Sequence, residues 1–332
     1  MSKLAVIVGA TGTQGGSVVD ALLASPSYRV RGLTRNPSSA AAQALAAKGA
    51  EMIYADLNDE SSLVAAFADA NVIFAVTDLF EPAMKLGVEE GKKVEFAQAT
   101  NIVKAAKRIL TLEHYIWSTL PNSNALSAGK FNVPFFDNKS AVDEYIRKDE
   151  QFLAKTTFLY LTFYSTNMFF PVFLPIHVKT ANMYIQALPA SPDTPLSSLS
   201  DARTNIGIFV RGIINNPART TNGAYILGNV ENFTFQSYLA TWGKATGLAT
   251  TKGSTEVAQI SLDKYRAIWP GYGDLMGEMV AFWSEVREKG WWTPLGQAAV
   301  QVQEVLSDED KKQVVGMVEA FESAAEHFKA AV

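Results

Sequence analysis

The stretch Leu4-Ala5-Val6-Ile7-Val8-Gly9-Ala10-Thr11-Gly12-Thr13-Gln14-Gly15-Gly16-Ser17-Val18 decides the fold. Its first five residues are continuously apolar and rich in β-formers, as expected of a parallel strand buried on both faces. Glycines then fall at 9, 12 and 15, and a helical pattern starts at Gln14. Gly9 permits a tight turn, Gly12 lets backbone approach a pyrophosphate, and Gly15 lets the helix sit close against the strand. The helix N-terminus offers unpaired N–H groups and a positive dipole end to an anion. A glycine triplet alone is weak, but between a strand and a helix it reads as a dinucleotide-binding turn, with Thr11, Thr13 and Gln14 on the same bend.

Outward from this turn, short apolar runs alternate with helical patterns. Tyr28–Leu33, Met52–Tyr54, Val72–Val76, Tyr115–Trp117 and Phe158–Leu161 read as strands. Gln14–Ala24, Ala40–Lys48, Ser61–Ala68, Glu90–Ile109 and Ala141–Ala154 read as helices. Such alternation implies crossover connections and a parallel sheet covered on both sides. The fold class is α/β: a Rossmann-type doubly wound parallel sheet with a smaller, mainly helical C-terminal lobe. Residues 1–160 form the predicted NADP-binding domain and 161–332 a substrate or partner lobe, with a strand near 224–227 returning to the sheet. Residues 256–332 read as mainly helical. Their last segment is capped at Ser307 and carries an apolar stripe of Val314, Met317, Val318, Phe321, Ala325 and Phe328.

The end of the second strand discriminates between coenzymes. A site that prefers NAD places an acid there for the ribose hydroxyls, whereas this chain has Thr34-Arg35-Asn36-Pro37-Ser38-Ser39. Arg35 is suited to pair with a 2′-phosphate, with Ser38 and Ser39 donating to it, so NADP is the expected cofactor. Asp56, after the third strand, is placed to meet the adenine amino group. Thr77, after the fourth, falls where the chain passes the middle of the cofactor.

On these residues the chain resembles the NmrA-like family of atypical short-chain dehydrogenases/reductases. The resemblance is clearest in Val8–Val18 and Val30–Pro37, and continues through Gly49-Ala50-Glu51, Ala55-Asp56, Val76-Thr77 and Phe136-Asp137-Asn138-Lys139 to Tyr145. It implies cofactor contacts from Gly9–Gln14, Arg35–Ser39, Asp56, Thr77, Lys139 and the Tyr164-Ser165-Thr166 stretch. Glu89 stands where some members carry a lysine. The family includes NADP-sensing regulators that bind the dinucleotide without turning it over, and it is similar to isoflavone-reductase-like enzymes that transfer hydride.

Ordinary short-chain dehydrogenases use Tyr-x-x-x-Lys. Lys139 matches the lysine, but Phe135 stands four residues earlier, so the usual phenol is missing. Either Lys139 itself handles the proton, as the isoflavone-reductase resemblance implies, or it only anchors the nicotinamide ribose. Ser118 and Thr119, after the fifth strand, are candidates to bond a substrate oxygen, and Tyr164 is an alternative proton donor. Tyr160, Phe163, Tyr164, Phe169, Phe170 and Phe173 are candidates to wall an apolar pocket, while Trp291-Trp292 are expected to pack the lobes. His114 is expected at the surface and His177 near the pocket. The three histidines lack metal spacing, and no metal is implied.

Composition narrows the remaining classes. The 332 residues contain no cysteine, excluding disulfides, thiolate metal sites and cysteine nucleophiles. Hydrophobic residues make up 48% and charged residues 19%, as in ordinary globular chains. The first 165 residues carry 16 Lys+Arg against 17 Asp+Glu and the remainder 13 against 16, so neither half is a basic footprint for nucleic acid. The aromatic stretch Phe158–Leu174 is broken by Thr162, Ser165, Asn167 and Pro171, unlike a membrane span. The expectation is a cytoplasmic or nuclear protein of open oligomeric state. Its predicted activity is NADPH-dependent reduction of a small apolar carbonyl, enone or iminium compound. The alternative is a non-catalytic redox sensor acting through a protein partner.

Overall fold

The computed structural model describes residues 2–332. The first half contributes β1 (Lys3–Ile7), β2 (Tyr28–Thr34), β3 (Glu51–Tyr54), β4 (Val72–Ala75), β5 (His114–Thr119) and β6 (Thr156–Leu161). Then follow β7 (Phe163–Tyr164), β8 (Ile176–Val178), β9 (Met183–Leu188), β10 (Pro195–Ser200), β11 (Ala224–Gly228), β12 (Glu231–Thr234), β13 (Thr255–Gln259) and β14 (Val300–Gln301). Eight of them form one sheet in the order β14-β11-β6-β5-β4-β1-β2-β3. Every pairing in it is parallel. This is the Rossmann-type doubly wound sheet. The strand order reverses between β1 and β4, which opens a crevice at the C-terminal strand ends.

Alternation along each strand feeds two cores. Leu4, Val6 and Val8 pack in one apolar cluster with Ile73, Trp117, Phe158 and Tyr225. Ala5 and Ile7 join the other with Phe74, Ile116, Leu159 and Ile226. Helices Glu60–Ala66, Val88–Lys107 and Pro134–Arg147 cover the first face, and Thr13–Leu23, Ala40–Ala47 and Ala202–Asn215 the second. Strands covered on both sides need no polar face, which is why they read as unbroken apolar runs.

The second half also forms two three-stranded sheets, β12-β10-β7 and β13-β9-β8. Its helix Ala202–Asn215 lies on Thr13–Leu23, where the Gly207 N–H donates to Ser17 Oγ at 2.8 Å. A Cβ on Gly207 would stand 2.1 Å from the Ser17 carbonyl oxygen, so backbone meets backbone across these helices.

Several local expectations differ from the structure. The helix expected over Ala141–Ala154 starts at Pro134 and ends at Arg147, followed by a separate turn at Glu150–Leu153. Proline in the first turn presets the helical φ, and the Asp149 carboxylate accepts from the Phe152 N–H to begin the new turn. Residues 256–332 include two strands. Ser307 does cap a helix, but that helix ends at Gln313. Asn205 then bridges the extended backbone of Val315 in both directions, at 2.9 Å each, so the apolar stripe is interrupted. Met317, Phe321 and Phe328 are buried, while Val318 is exposed.

His114 is buried, contrary to its expected surface position. Thr157 donates its only hydroxyl proton to the Thr220 carbonyl at 2.5 Å, so His114 Nε2, 2.7 Å from Thr157 Oγ1, is the protonated nitrogen of a neutral ring. Burial, with a smaller contribution from Lys3, lowers its pKa from 6.5 to about 4. The unfolded chain therefore takes up a proton near pH 6.5 that the folded chain refuses until about pH 4. This residue should remove roughly 3 kcal/mol of stability as pH falls through that window. Urea titrations at several pH values should show a shallower acid slope for His114→Gln; an unchanged slope would remove His114 as its source.

Candidate functional site

A cleft of about 890 Å³ runs along the C-terminal ends of β1 to β4. Its floor is the glycine turn. Gly9 has φ +67°, and a Cβ on Gly15 would lie 2.2 Å from the Gly9 carbonyl oxygen. Helix Thr13–Leu23 thus starts directly on the end of β1, and Gly12 gives it no side-chain cap. Its first N–H groups remain available to an anion. Gly9, Thr11, Gly12, Thr13, Gln14, Arg35, Asn36, Asp56, Thr77 and Tyr164 all line this cleft. Pro37 and Ser38 do not, because Ser38 turns its hydroxyl to Asn36 Oδ1 at 2.7 Å. Ser39 lines the cleft while its hydroxyl accepts from the Ala42 N–H.

At the far end, Arg35 already has a partner. Its guanidinium forks onto Glu81, Nη1 to Oε1 at 3.2 Å and Nη2 to Oε2 at 2.9 Å. Lys85 Nζ adds a third bond to Glu81 Oε1 at 2.9 Å. These cations hold the Glu81 carboxyl at about 2, well below its ordinary value. Glu81 and Lys85 lie on helix Phe80–Leu86 and escaped the sequence reading because no motif fixes a loop after β4 against strand β2. Glu89 is exposed and paired with Lys92, away from the cleft lining.

Behind Thr77 the structure buries an ion pair. Lys139 Nζ donates to Glu95 Oε1 at 2.8 Å and to the Thr77 carbonyl at 2.6 Å. Thr77 Oγ1 donates to the same Glu95 oxygen, and Asn138 Nδ2 to the other at 2.6 Å. The Trp117 ring lies 5.5 Å from the ammonium. Glu95 was not anticipated, although its spacing to Ala99, Ile102 and Ala106 places it on the buried stripe of helix Val88–Lys107.

Lys139, expected among the cofactor contacts, does not line the cleft, because Glu95 and the Thr77 carbonyl hold its ammonium behind Thr77. It faces a second cavity, of about 340 Å³, walled by Phe80, Phe135, Phe163, Phe170, Phe173 and Trp283 among others. Ser118, Thr119 and Thr166 line it too. Of the expected wall, Tyr160 and Phe169 are elsewhere: Phe169 stacks on Phe328 at 3.9 Å, and Tyr160 packs beneath Trp291 and Tyr225. Ser165 is buried outside both cavities, and His177 stacks on Tyr184 outside them. Trp291 both packs and lines the cavity. Met276, Met279 and Trp283 also line it, although their helical spacing reads as ordinary core.

Thr13, Gln14 and Tyr164 border both cavities. Ser118 Oγ donates to Gln14 Oε1 at 2.8 Å, and Gln14 Nε2 donates to the Tyr164 hydroxyl at 3.0 Å. The phenol keeps its own proton, since burial pushes its pKa up and the Gln14 bond only partly opposes this. That proton has no acceptor among the described residues and is free at the junction.

An open parallel sheet with a glycine turn at its switch point defines a dinucleotide-type Rossmann fold. The chain belongs to the NmrA-like family, whose model matches residues 1–309. It is 30% identical over 255 residues to the NmrA-like family domain-containing oxidoreductase hkm9 of Aspergillus hancockii, covering 74% of this chain and 73% of that one. Over 256 residues it is 30% identical to the oxidoreductase FrzB of Cladobotryum sp, covering 74% of each. Among solved structures it is similar to NmrA, a negative transcriptional regulator in complex with NAD, with TM-score 0.76, 20% identity and 99% and 97% of the two chains covered. It is also similar to Citrobacter sp. triphenylmethane reductase complexed with NADP(H), with TM-score 0.66, 16% identity and coverage of 97% and 99%.

The buried pair yields a direct test. Glu95→Gln strands a buried ammonium and should cost about 3 kcal/mol in chemical denaturation. Adding Lys139→Met should restore most of that loss, and equal losses in the single and double variants would rule out charge pairing as the cause.

Proposed function

We propose that the protein is an NADPH-dependent reductase of a small, largely apolar carbonyl, enone or iminium compound. One observation carries this reading: the dinucleotide-sized cleft and the aromatic cavity meet at a phenol with an uncommitted proton. The fit to the coenzyme rests on the turn, where a Cβ at Gly15 would strike the Gly9 carbonyl and push the helix off the end of β1, and on the uncapped helix start. There Gly9–Gln14 would hold the pyrophosphate, Arg35 and Asn36 the phosphorylated adenosine ribose, Asp56 the adenine, and Thr77 and Lys139 the nicotinamide ribose. When bound, a reduced nicotinamide supplies hydride.

The chain's own residues do the rest. The aromatic wall excludes water and accepts an apolar body, while the few polar groups at its mouth orient it. Tyr164 donates a hydrogen bond to a carbonyl oxygen and replaces the phenol missing at Phe135. Lys139, committed to Glu95 and Thr77, acts by position. An iminium carbon needs no proton donor, so the same cavity serves it without Tyr164.

Turnover can be followed by loss of the reduced-nicotinamide absorbance over panels of ketones, enones and cyclic imines. Tyr164→Phe should slow carbonyl reduction about 10²-fold while leaving the reduction of cyclic imines presented as N-alkyl iminium ions nearly unchanged. Equal effects on both classes would remove the proton from its role. Arg35→Glu should weaken NADP far more than NAD in calorimetry, and equal losses would refute its assigned contact.

A second reading, a redox sensor acting on a protein partner, is favoured by Phe135 and by the commitment of Lys139 to Glu95. Tight NADP binding without turnover of any panel member, together with partner capture that depends on coenzyme oxidation state, would replace the first reading with this one.

A further inference from the structure

We infer that Glu81 is the specificity residue for the coenzyme: it opposes an adenosine 2′-phosphate and supplies the ribose acceptor that strand β2 lacks. The inference rests on the dinucleotide reading above, concerns only the adenosine end of that cleft, and sets Glu81 against the preference for NADP that Arg35 confers there. Arg35, Glu81, Lys85, Asn36, Ser39 and Asp56 line this end together. Two cations there face two carboxylates, and Arg35 also feels Asp78, so no net positive charge awaits a phosphate. A phosphate dianion reaches Arg35 only by taking it from a carboxylate that already makes a two-pronged contact. An unphosphorylated ribose needs the opposite. Its hydroxyls need an acceptor, and Glu81 brings one to the place where NAD sites usually carry an acid from β2.

Local structure fixes this placement. Asp78 Oδ1 accepts from the Phe80 N–H at 2.9 Å and starts helix Phe80–Leu86. One turn apart, Glu81 and Lys85 then share a face, so a single carboxylate holds both cations. Gly87, at φ +85°, ends the helix and lets the chain turn into Val88–Lys107. The pairing is solvent-facing, with Arg35 and Glu81 side chains 69% and 40% exposed, so a bound anion can compete with it.

The test is calorimetric titration of the full chain and its Glu81→Gln variant with NADP and with NAD. Removing the carboxylate charge should tighten NADP about tenfold and weaken NAD a few-fold. Arg35→Ala added to Glu81→Gln should abolish the gain for NADP. Because Glu81 is exposed, thermal melting should be close to wild type, and the ratio of the two affinities is the quantity read. An unchanged NADP-to-NAD ratio in a folded Glu81→Gln protein overturns the inference while leaving the dinucleotide reading intact. Failure of both coenzymes to bind the wild type overturns that reading, and this inference with it.

Discussion

Backbone against backbone at Gly15 is the contact on which the rest depends. With only 2.2 Å between a would-be Cβ and the Gly9 carbonyl oxygen, no side chain can separate helix Thr13–Leu23 from the end of β1. That closeness aims the helix start at the crevice and puts Gln14 between the two cavities. The same helix then receives the second half of the chain on its other flank, where Gly207 meets Ser17 just as closely. Two glycine contacts on one helix therefore join the glycine turn to the part of the molecule that walls the aromatic cavity.

Two lysine–glutamate contacts of similar length and opposite physical character flank the cleft, one lining it and one behind Thr77. Lys139 and Glu95 are buried, so either charge alone would face a low-dielectric interior, and the pair behaves as a fixed structural unit. Lys85 and Glu81 lie in solvent, where such a contact contributes little and exchanges readily. The buried pair defines where Thr77 stands. The exposed one leaves the Arg35 end of the cleft adjustable by whatever enters it.

Much of this was legible in the sequence, for a physical reason. Strands covered on both faces must be apolar throughout, so β1, β4 and β6 announce themselves, and the segments that follow their C-terminal ends carry Gly9–Gln14, Thr77 and Tyr164. What was not legible depends on contacts between distant segments. Glu81 reaches Arg35 across 46 positions, and Glu95 reaches Lys139 across 44. A carboxylate on an amphipathic helix looks like surface until its partner is known. His114 misled for the same reason: only Thr157, 43 residues on, makes its burial tolerable. The interruption at Val315 needs Asn205, 110 positions earlier, to take both of its backbone groups. Met276, Met279 and Trp283 repeat at helical spacing whether they fill a core or line a cavity, so spacing alone could not assign them.

The Gln14 carboxamide also limits how many protons the junction can offer. It has one donating end and one accepting end, and it sits between two hydroxyls. As arranged, Ser118 spends its proton on Gln14 and Tyr164 receives one, so the phenol proton is the free one. Rotating the amide by half a turn would reverse both bonds: Tyr164 would then spend its proton and Ser118 would keep its own. In either arrangement one hydroxyl proton remains for a ligand and the other is committed. The two candidate donors on either side of Gln14 are therefore not independent. They are alternative ends of one hydrogen-bonded chain, and its polarity is set by the residue that the glycine turn places between them.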